Sequence, residues 1–585
     1  MPLVKFIDEG KEIKVKRGET LLNAAIAADV GLVSECGGRG ICKRCRVKVN
    51  GEEVLACQTR VERDIEVEVP EKSKPKILKI LEKGYEEYRV ELNPIVKSFP
   101  LQLKAPNLED NLADTERVRR ALGRQVKFPL DTLRCLASEL RKKNWNPDIS
   151  LFEDEVIALK NVDYGIALDV GTTTVVASLV DLKSGKTVKT ASSINKQISC
   201  GEDILSRIMY SEENGEEGIK TLQRLIIENT NSLISEFEVD RKRVGCMAIG
   251  GNTTMGHLFL GLDSKYIRYE PYIPTANDPG IHRAKDLGVD ILPNSPLFFL
   301  PNRAGYFGGD VVGDILTSDM HRREEISMLI DTGTNGEIVL GNRDWLACCA
   351  CSAGPAFEGG EVACGVRAMR GAIERIKIGR DSKVRYKVIG DVKPIGICGS
   401  GLIDLMAELF INKLVGRRGE FITEADPERI REGEEGKEYI AVPREKSASG
   451  KDIFFSEADI KNLLRTKAAM YAATRTLLRN TGFMIDDVEK IYIAGGFGNY
   501  INIRNAIIIG LLPDIDVEKY IFIGNGSAQG AKLCLLSDGK RKESAEIAKK
   551  LAYIELSVAN EFFDEFNSAM FIPHTDIELF PSVVI

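Results

Sequence analysis

The sequence lacks several features that would fix a function quickly. Its 585 residues hold only four histidines, His257, His282, His321 and His574, scattered too widely to form a ligand set. No apolar stretch approaches the roughly 20 residues of a membrane span. The most apolar late segment, Ala506 to Leu512, is far shorter, and no basic region with an apolar run opens the chain. A membrane or exported protein is therefore not expected, and a cytoplasmic one is. An excess of cations is missing as well: 80 Lys and Arg stand against 87 Asp and Glu, a formal charge of -7. Such a balance carries no electrostatic footprint for a nucleic-acid partner. A Walker A loop is absent too. Ser184-Gly185-Lys186-Thr187 has its ending, but the required first glycine is Val180, so these residues read as the tight turn joining the first two strands of an α/β fold.

What remains is an ordinary globular composition, 43% hydrophobic and 29% charged, on a chain too long for a single core. Two or three domains are expected, multidomain α+β and α/β in class. Of the 13 cysteines, four are spaced as a set: Cys36, Cys42 and Cys45 within Glu35-Cys36-Gly37-Gly38-Arg39-Gly40-Ile41-Cys42-Lys43-Arg44-Cys45, and Cys57 in Leu55-Ala56-Cys57-Gln58. A [2Fe–2S] cluster needs four thiolates, and a glycine-rich loop lets three of them wrap one side while backbone N–H groups turn inward. The C-x5-C-x2-C spacing departs slightly from the plant-type C-x4-C-x2-C and keeps its logic. A zinc ribbon pairs two CxxC knuckles, and these four cysteines form only one. A disulfide framework belongs to oxidising compartments. The flanks predict a hairpin from Val4–Ile7 and Glu12–Val15 and a short helix from Thr20 to Ala28. The segment resembles the plant- and adrenodoxin-type ferredoxins, which implies a β-grasp ferredoxin fold with Cys36, Cys42, Cys45 and Cys57 as metal ligands.

Alternation continues through Ile65–Val69, and then Pro70-Glu71-Lys72-Ser73-Lys74-Pro75 breaks it. The expected domains are residues 1–73 around the cysteines, a linker over 74–106, a small helical middle module over 107–160, and a two-lobed domain over 161–585. Pro94, Pro100 and Pro106 leave no room for a long helix in the linker. Helices are predicted over Thr115–Leu122 and Leu130–Arg141, ending in Asn144-Trp145-Asn146-Pro147. The last domain opens at Tyr164, with strands and helices alternating to the end.

Three glycine-rich turns in that domain each follow a buried strand. Gly165-Ile166-Ala167-Leu168-Asp169-Val170-Gly171-Thr172-Thr173-Thr174 delivers a carboxylate, a glycine that admits phosphate, then hydroxyl and N–H donors. Met328-Leu329-Ile330-Asp331-Thr332-Gly333-Thr334-Asn335-Gly336 repeats the plan. Ile491-Tyr492-Ile493-Ala494-Gly495-Gly496-Phe497-Gly498 lacks a carboxylate and suits close approach to an adenosine. Two Asp-x-Gly-Thr turns facing each other would grip a triphosphate, with the candidate catalytic carboxylates Asp169 and Asp331 holding Mg²⁺ directly or through water. Gly399-Ser400-Gly401-Leu402-Ile403-Asp404 adds a further strand-to-helix turn. Cys349 and Cys351 fall on one face of a strand and Cys348 on the other, which favours packing over a second metal. The charged run Glu424–Lys446 reads as a solvated face or loop.

In order and spacing the three turns resemble the actin/sugar kinase/Hsp70 superfamily of ATPases. The resemblance implies ATP at Gly171, Thr172, Thr173 and Thr174, at Thr332, Gly333, Thr334, Asn335 and Gly336, and at Gly495, Gly496 and Gly498. Joined to a ferredoxin, the whole chain resembles the reductive activators of corrinoid-dependent enzymes. That family has segments like Gly250-Gly251-Asn252-Thr253-Thr254-Met255 and Ala353-Gly354-Pro355-Ala356-Phe357-Glu358-Gly359, both present here and expected near the cleft and the partner-facing surface. The resemblance implies an ATPase that passes one electron to Co(II) cobalamin on a partner. The partner would be a corrinoid iron–sulfur protein or the corrinoid subunit of a methyltransferase, supplied by a low-potential electron donor; His282 lacks the Asp-x-His-x-x-Gly setting of a cobalamin ligand, so the corrinoid is expected on the partner. A homodimer is a further family expectation. Two other readings stay open: an electron-injecting activator of the 2-hydroxyacyl-CoA dehydratase type, and a small-molecule kinase with a redox-sensing domain.

Overall fold

In the computed structural model the described residues are 1–584 apart from 29, 35, 71–72, 74–89, 334, 355, 380, 427, 435 and 496–500. They form two units. The first comprises the described residues between Met1 and Ile77, those between Tyr88 and Gly313, and Ser527–Ala548; the second comprises Asp314–Gly526 and the described residues from Lys549 onward.

The first unit begins with short strands whose alternate residues are apolar. Leu3–Phe6 (β1), Lys11–Lys14 (β2), Arg46–Val49 (β3), Glu52–Leu55 (β4) and Ile65–Glu68 (β5) form a sheet of order β2-β1-β5-β3-β4. β1 and β5 run parallel and the other pairs antiparallel. Helix α1 (Leu21–Ala27) starts where the Thr20 hydroxyl accepts the Asn23 amide, a side-chain N-cap, and buries Leu21, Leu22, Ala24 and Ala25. This is the expected β-grasp arrangement, with the hairpin and helix where the sequence predicts them.

The two helices expected in the middle module are α2 (Asp114–Leu122) and α3 (Leu130–Lys142). The structure adds a three-stranded antiparallel sheet beside them, β6 (Lys97–Pro100), β7 (Asp148–Phe152) and β8 (Glu155–Ala158). β6 lies inside the segment expected to be linker. It is an edge strand ending on Pro100, a position where a missing N–H costs no ladder bond. Val118, Leu140, Ile149 and Leu151 make the shared core.

The rest of this unit is a six-stranded sheet. β9 (Tyr164–Val170), β10 (Thr174–Asp181) and β11 (Thr187–Ile194) form an antiparallel meander, followed by α4 (Ile204–Ser235) and by β12 (Val244–Gly251), which lies parallel to β9. After α5 (Thr253–Leu260) come β13 (Ile281–Arg283), α6 (Ala284–Leu287) and β14 (Pro296–Phe299), giving the order β11-β10-β9-β12-β14-β13. The Ser184–Gly185 turn joins β10 to β11, the second and third strands rather than the first two, because the Asp169–Thr174 segment is itself the first hairpin. One contiguous apolar core runs from the β-grasp fold (Val4, Leu22, Val67) into this sheet (Ile166, Leu168, Met247).

The second unit repeats the plan. Following α7 (Gly309–Ser318), β15 (Ser327–Thr332), β16 (Gly336–Gly341) and β17 (Leu346–Cys351) form the meander. A later strand, Lys490–Ala494, lies parallel to β15, and Tyr520–Gly524 lies parallel beyond it. The long helix Glu457–Thr481 covers this sheet: the Cys349 thiol sits against the Ala473 carbonyl and Cys351 against the Met470 sulfur, one strand face as expected. The charged run over 424–446 is not a plain solvated loop. It contains an antiparallel hairpin, Ile430–Gly433 with Gly436–Val442, whose Tyr439, Ala441 and Val442 are buried.

Candidate functional site

The four N-terminal cysteines converge. Cys36, Cys45 and Cys57 are buried and Cys42 is partly exposed, and all are free thiols. Burial alone would push the Cys36 thiol up. Hydrogen bonds from the Cys42, Ile41 and Gly40 amides and from the Cys42 thiol outweigh it and hold Cys36 down at about 7. The Cys45 thiol is pushed up to about 12, first by burial and then by its neighbour Cys57. The thiols thus meet as two pairs, Cys36 with Cys42 and Cys45 with Cys57, with Cys42 close enough to Cys45 to repel its charge. Among the described residues no group of three or more His, Cys, Asp or Glu side chains forms a single-ion site. Two pairs suit a two-iron cluster, in which each iron takes two thiolates.

Positive φ at Gly37, Gly38 and Gly40 winds the loop, and three backbone amides aim at Cys36, as a cluster-wrapping loop requires. Gln58 closes it from the far side: its Nε2 donates to the Gly38 carbonyl at 3.1 Å and to Cys57 Sγ at 3.7 Å. The lip at Ile41–Arg44 faces outward, with Ile41 69% exposed.

The first Asp-x-Gly-Thr turn is a tight hairpin in which the Gly171 amide donates to the Thr174 carbonyl at 3.0 Å. A Cβ at Gly171 would lie 2.6 Å from that carbonyl oxygen, so the turn itself demands glycine. Buried polar side chains fasten it from behind. Asn195 Nδ2 donates to the Gly171 carbonyl at 2.9 Å, and its own amide donates to the Thr173 carbonyl at 2.9 Å. Arg207 Nη2 donates to the Thr172 carbonyl at 2.5 Å, and Asn252 Nδ2 donates to Thr172 Oγ1 at 3.1 Å. Asn252 is also the N-cap of α5, so the Gly250–Met255 segment does reach the turn. Ser527 Oγ donates to Asp169 Oδ1 at 2.7 Å, and Gly250 packs on Ser527 so closely that a Cβ would sit 2.6 Å from its hydroxyl.

The second turn pairs Asp331 with Glu337 and Thr332 with Gly336 across β15 and β16, and the Gly333 amide donates to the Asn335 carbonyl at 3.0 Å. Thr332 Oγ1 donates to the Ala494 carbonyl at 3.2 Å. Gly495, at φ +92°, presses on this turn: a Cβ there would lie 2.6 Å from Thr332 O and 2.7 Å from Asp331 Oδ1. Thr334, Gly496 and Gly498 lie outside the described residues. The further turn at Gly399 opens helix α8 (Gly399–Ile411), where Asp404 accepts from Asn505 Nδ2 at 2.8 Å and burial holds its carboxyl above the usual range.

Family models match the chain end to end. Residues 2–72 match a 2Fe-2S iron-sulfur cluster binding domain, 85–164 the RACo linker region, 164–323 the RACo middle region, and 325–584 the C-terminal domain of RACo, the ASKHA domain. The corrinoid activation enzyme RamQ of Eubacterium limosum is 32% identical over 95% of this chain and 96% of its own length. The chain belongs to the RACo family of reductive activators. Within that family, the solved structure of a reductive activator for corrinoid, iron-sulfur protein is 40% identical, covers both chains completely and superposes with a TM-score of 0.79. The [Co(II) methylated amine-specific corrinoid protein] reductase of Methanosarcina barkeri is 25% identical over 69% of this chain and 76% of its own.

The structure therefore gathers the four expected cysteines and sets Asp169 and Asp331 at equivalent ends of two similar sheets. Sequence reasoning singled out the segment that carries Asn252 but missed the other side chains that hold the first turn: Asn195, Arg207 and Ser527. One signal was available. Gly524-Asn525-Gly526-Ser527 is, like Gly399-Ser400-Gly401, a strand-to-helix glycine turn, opening the helix Gly526–Leu536.

Proposed function

We propose that this protein is an ATP-dependent reductive activator that passes one electron from a [2Fe–2S] cluster to the Co(II) corrinoid of a partner protein, restoring Co(I). The observation that carries the reading is the joining, in one chain of RACo-family domain order, of a four-thiol loop with two Asp-x-Gly-Thr hairpins. Cys36, Cys42, Cys45 and Cys57 would ligate the cluster, which supplies a one-electron carrier when bound. Their amide-lined loop fits that role, and the exposed Ile41–Arg44 lip is the natural face for electron transfer. Asp169 with Gly171–Thr174, Asp331 with Thr332–Gly336, and Gly495, Gly496 and Gly498 are the residues we assign to ATP, with Mg²⁺ held by the two carboxylates.

The energetics are workable. A one-electron step uphill by roughly 0.2 V costs about 5 kcal/mol, since tenfold corresponds to about 59 mV. Docking and nucleotide binding each couple to conformation by typically about 1–3 kcal/mol, so the two acting together approach that cost. The 40% identity to an activator for a corrinoid, iron-sulfur protein favours such a protein as the client over a methyltransferase corrinoid subunit. A low-potential donor would reload the cluster.

The test is anaerobic. The reduced protein is examined by EPR, and its ATPase rate is measured with and without a Co(II) corrinoid iron–sulfur protein. A rhombic spin-half signal lost in Cys42→Ala, ATPase stimulated by the partner, and Co(I) formed only with ATP are expected. A loaded cluster with no response to any corrinoid protein would overturn the reading.

A further inference from the structure

The segment that carries the cluster and the turn assigned to phosphate lie in the same unit, and the buried side chain of Arg207 bonds both the turn and the segment on which the cluster loop rests. Gly37, next to the ligand Cys36, has a left-handed φ of +61° and rests on the backbone after the third strand of the six-stranded sheet. A Cβ at Gly37 would lie 2.7 Å from the Cys200 carbonyl oxygen and 3.5 Å from that of Ser206. This seat, Cys200 to Ser206, is the entry to helix α4, and it is built rigidly. Asp203 and Ser206 form a capping box, with the Ser206 amide donating to Asp203 Oδ1 at 2.7 Å. Gly201 packs against Ser206 so tightly that no larger residue fits.

Arg207 follows directly and is fully buried. Its guanidinium fork reaches three ways at once. Nε donates to the Gly201 carbonyl of the seat at 2.9 Å, Nη1 to Gln197 Oε1 at 3.2 Å and to Met255 Sδ at 3.1 Å, and Nη2 to the Thr172 carbonyl at the tip of the phosphate turn at 2.5 Å. Gln197 is pinned in turn, its backbone amide donating to Asn195 Oδ1 and its Nε2 to the Leu222 carbonyl, and Asn195 donates to the Gly171 and Thr173 carbonyls of the turn. A flat fork with donors fixed in three directions transmits a displacement at one end to the other, which a lysine ammonium on a flexible stem does not.

We propose that Arg207 is a positioning residue that couples nucleotide occupancy of the Asp169–Thr174 turn to the seating of the cluster loop on Cys200–Ser206. When the turn closes on phosphate, the Thr172 carbonyl shifts, Arg207 follows, and the seat under Gly37 moves with the Gly201 peptide. Nucleotide state then sets how firmly the cluster loop is held, hence how readily its exposed lip is presented to a partner. This rests on the assignment of the turn to ATP made above.

Linkage makes the coupling reciprocal: if nucleotide alters the seating, loosening the seat alters nucleotide affinity by the same factor, typically about 5- to 150-fold in coupled systems. The experiment measures binding of a non-hydrolysable ATP analogue with Mg²⁺, and amide hydrogen exchange over residues 36–45, in wild type, Arg207→Lys and Gly37→Ala, each checked for iron content and thermal unfolding. The analogue is expected to change exchange over 36–45 in wild type. Arg207→Lys, which keeps the charge and loses the fork, should abolish that response; Gly37→Ala, which leaves all four thiols and every residue of the phosphate turn in place, should change analogue affinity by at least about fivefold. Should Arg207→Lys not fold, Gly37→Ala decides alone. Wild-type analogue binding with no exchange response, or a loaded Gly37→Ala that binds it as wild type does, would overturn the coupling while leaving the proposed function standing. Failure of the wild type to bind the analogue at all would remove both.

Discussion

Gly495→Ala separates two reasons for a glycine in the third turn. The sequence suggests room for an adenosine, whereas the structure shows Gly495 pressed against Thr332 and Asp331. An alanine at φ +92° pays a conformational cost of about 1–2 kcal/mol. Its Cβ would begin 2.7 Å from Asp331 Oδ1 and 2.6 Å from the Thr332 carbonyl. To reach ordinary van der Waals separation the carboxylate and the strand end retreat by about 0.7 Å, a packing strain of about 1–3 kcal/mol. Together the variant should lose roughly 2–5 kcal/mol before any nucleotide is present, lowering the melting temperature of the second unit by roughly 4–20 °C at about 2–4 °C per kcal/mol. Because the displaced group is Asp331, Mg²⁺-nucleotide affinity should fall by about tenfold or more. The assay is differential scanning calorimetry without nucleotide, followed by calorimetric titration with Mg²⁺ and an ATP analogue. A variant that melts with the wild type yet binds nucleotide poorly would refute the packing argument in favour of the adenosine role; normal melting and normal binding would refute both.

Other perturbations test the remaining parts of the site. Gln58→Leu removes the donor to Cys57 Sγ, and because such a bond stabilises the added charge of a reduced cluster, the midpoint potential in an EPR-monitored titration should drop; an unchanged or higher potential would contradict this. Ser527→Ala deletes the hydroxyl on Asp169, a bond to a charged acceptor worth about 1.5–3 kcal/mol, so Mg²⁺-dependent nucleotide affinity should fall about tenfold, and wild-type affinity would show that Asp169 needs no such support. His257 is buried with Nδ1–H donating to the Thr253 carbonyl and Nε2 accepting the Thr275 and Ala276 amides, an arrangement only the neutral ring satisfies, and burial lowers its pKa. The unfolded chain takes up that proton near pH 6.5, so this contribution to stability is complete above pH 6.5 and is lost as pH falls below it. His257→Gln should flatten the acid limb of a melting-temperature profile, and an identical slope would show that other groups set it.

Much of this was readable along the chain because the signals are local. Cysteine spacing, the Thr20 cap, and a strand delivering an aspartate into Gly-Thr are written within a dozen residues, so the β-grasp fold, its set of four cysteines and the two carboxylate turns are legible without long-range information. The anchors of the first turn are not. Ser527 reaches Asp169 across 358 positions of sequence, and Asn195, Arg207 and Asn252 come from three separate elements. An arginine at the start of a helix reads as a surface residue until the fold encloses it. Strand β6 was hidden for a different reason: closely spaced prolines exclude a helix but permit an edge strand. Over 424–446 the charges mask an alternation in which Tyr439 and Ala441 face inward.

The two carboxylate turns share a strand plan but not a setting, and the difference bears on how a redox domain and an ATPase can share work. Each occupies the first hairpin of a three-stranded meander with a parallel strand added beside it. Among the described residues the second turn is held through Thr332 to Ala494, by the press of Gly495, and by Met470 of the covering helix, which packs on Gly336. The first is fastened outward as well, through Arg207 and Asn195, to the segment on which the cluster loop rests. A displacement of the first turn therefore has somewhere to go. A duplicated architecture can send a signal to one side when its halves are anchored to different neighbours, and here the anchors of the first half lead toward the end of the chain that carries the four thiols.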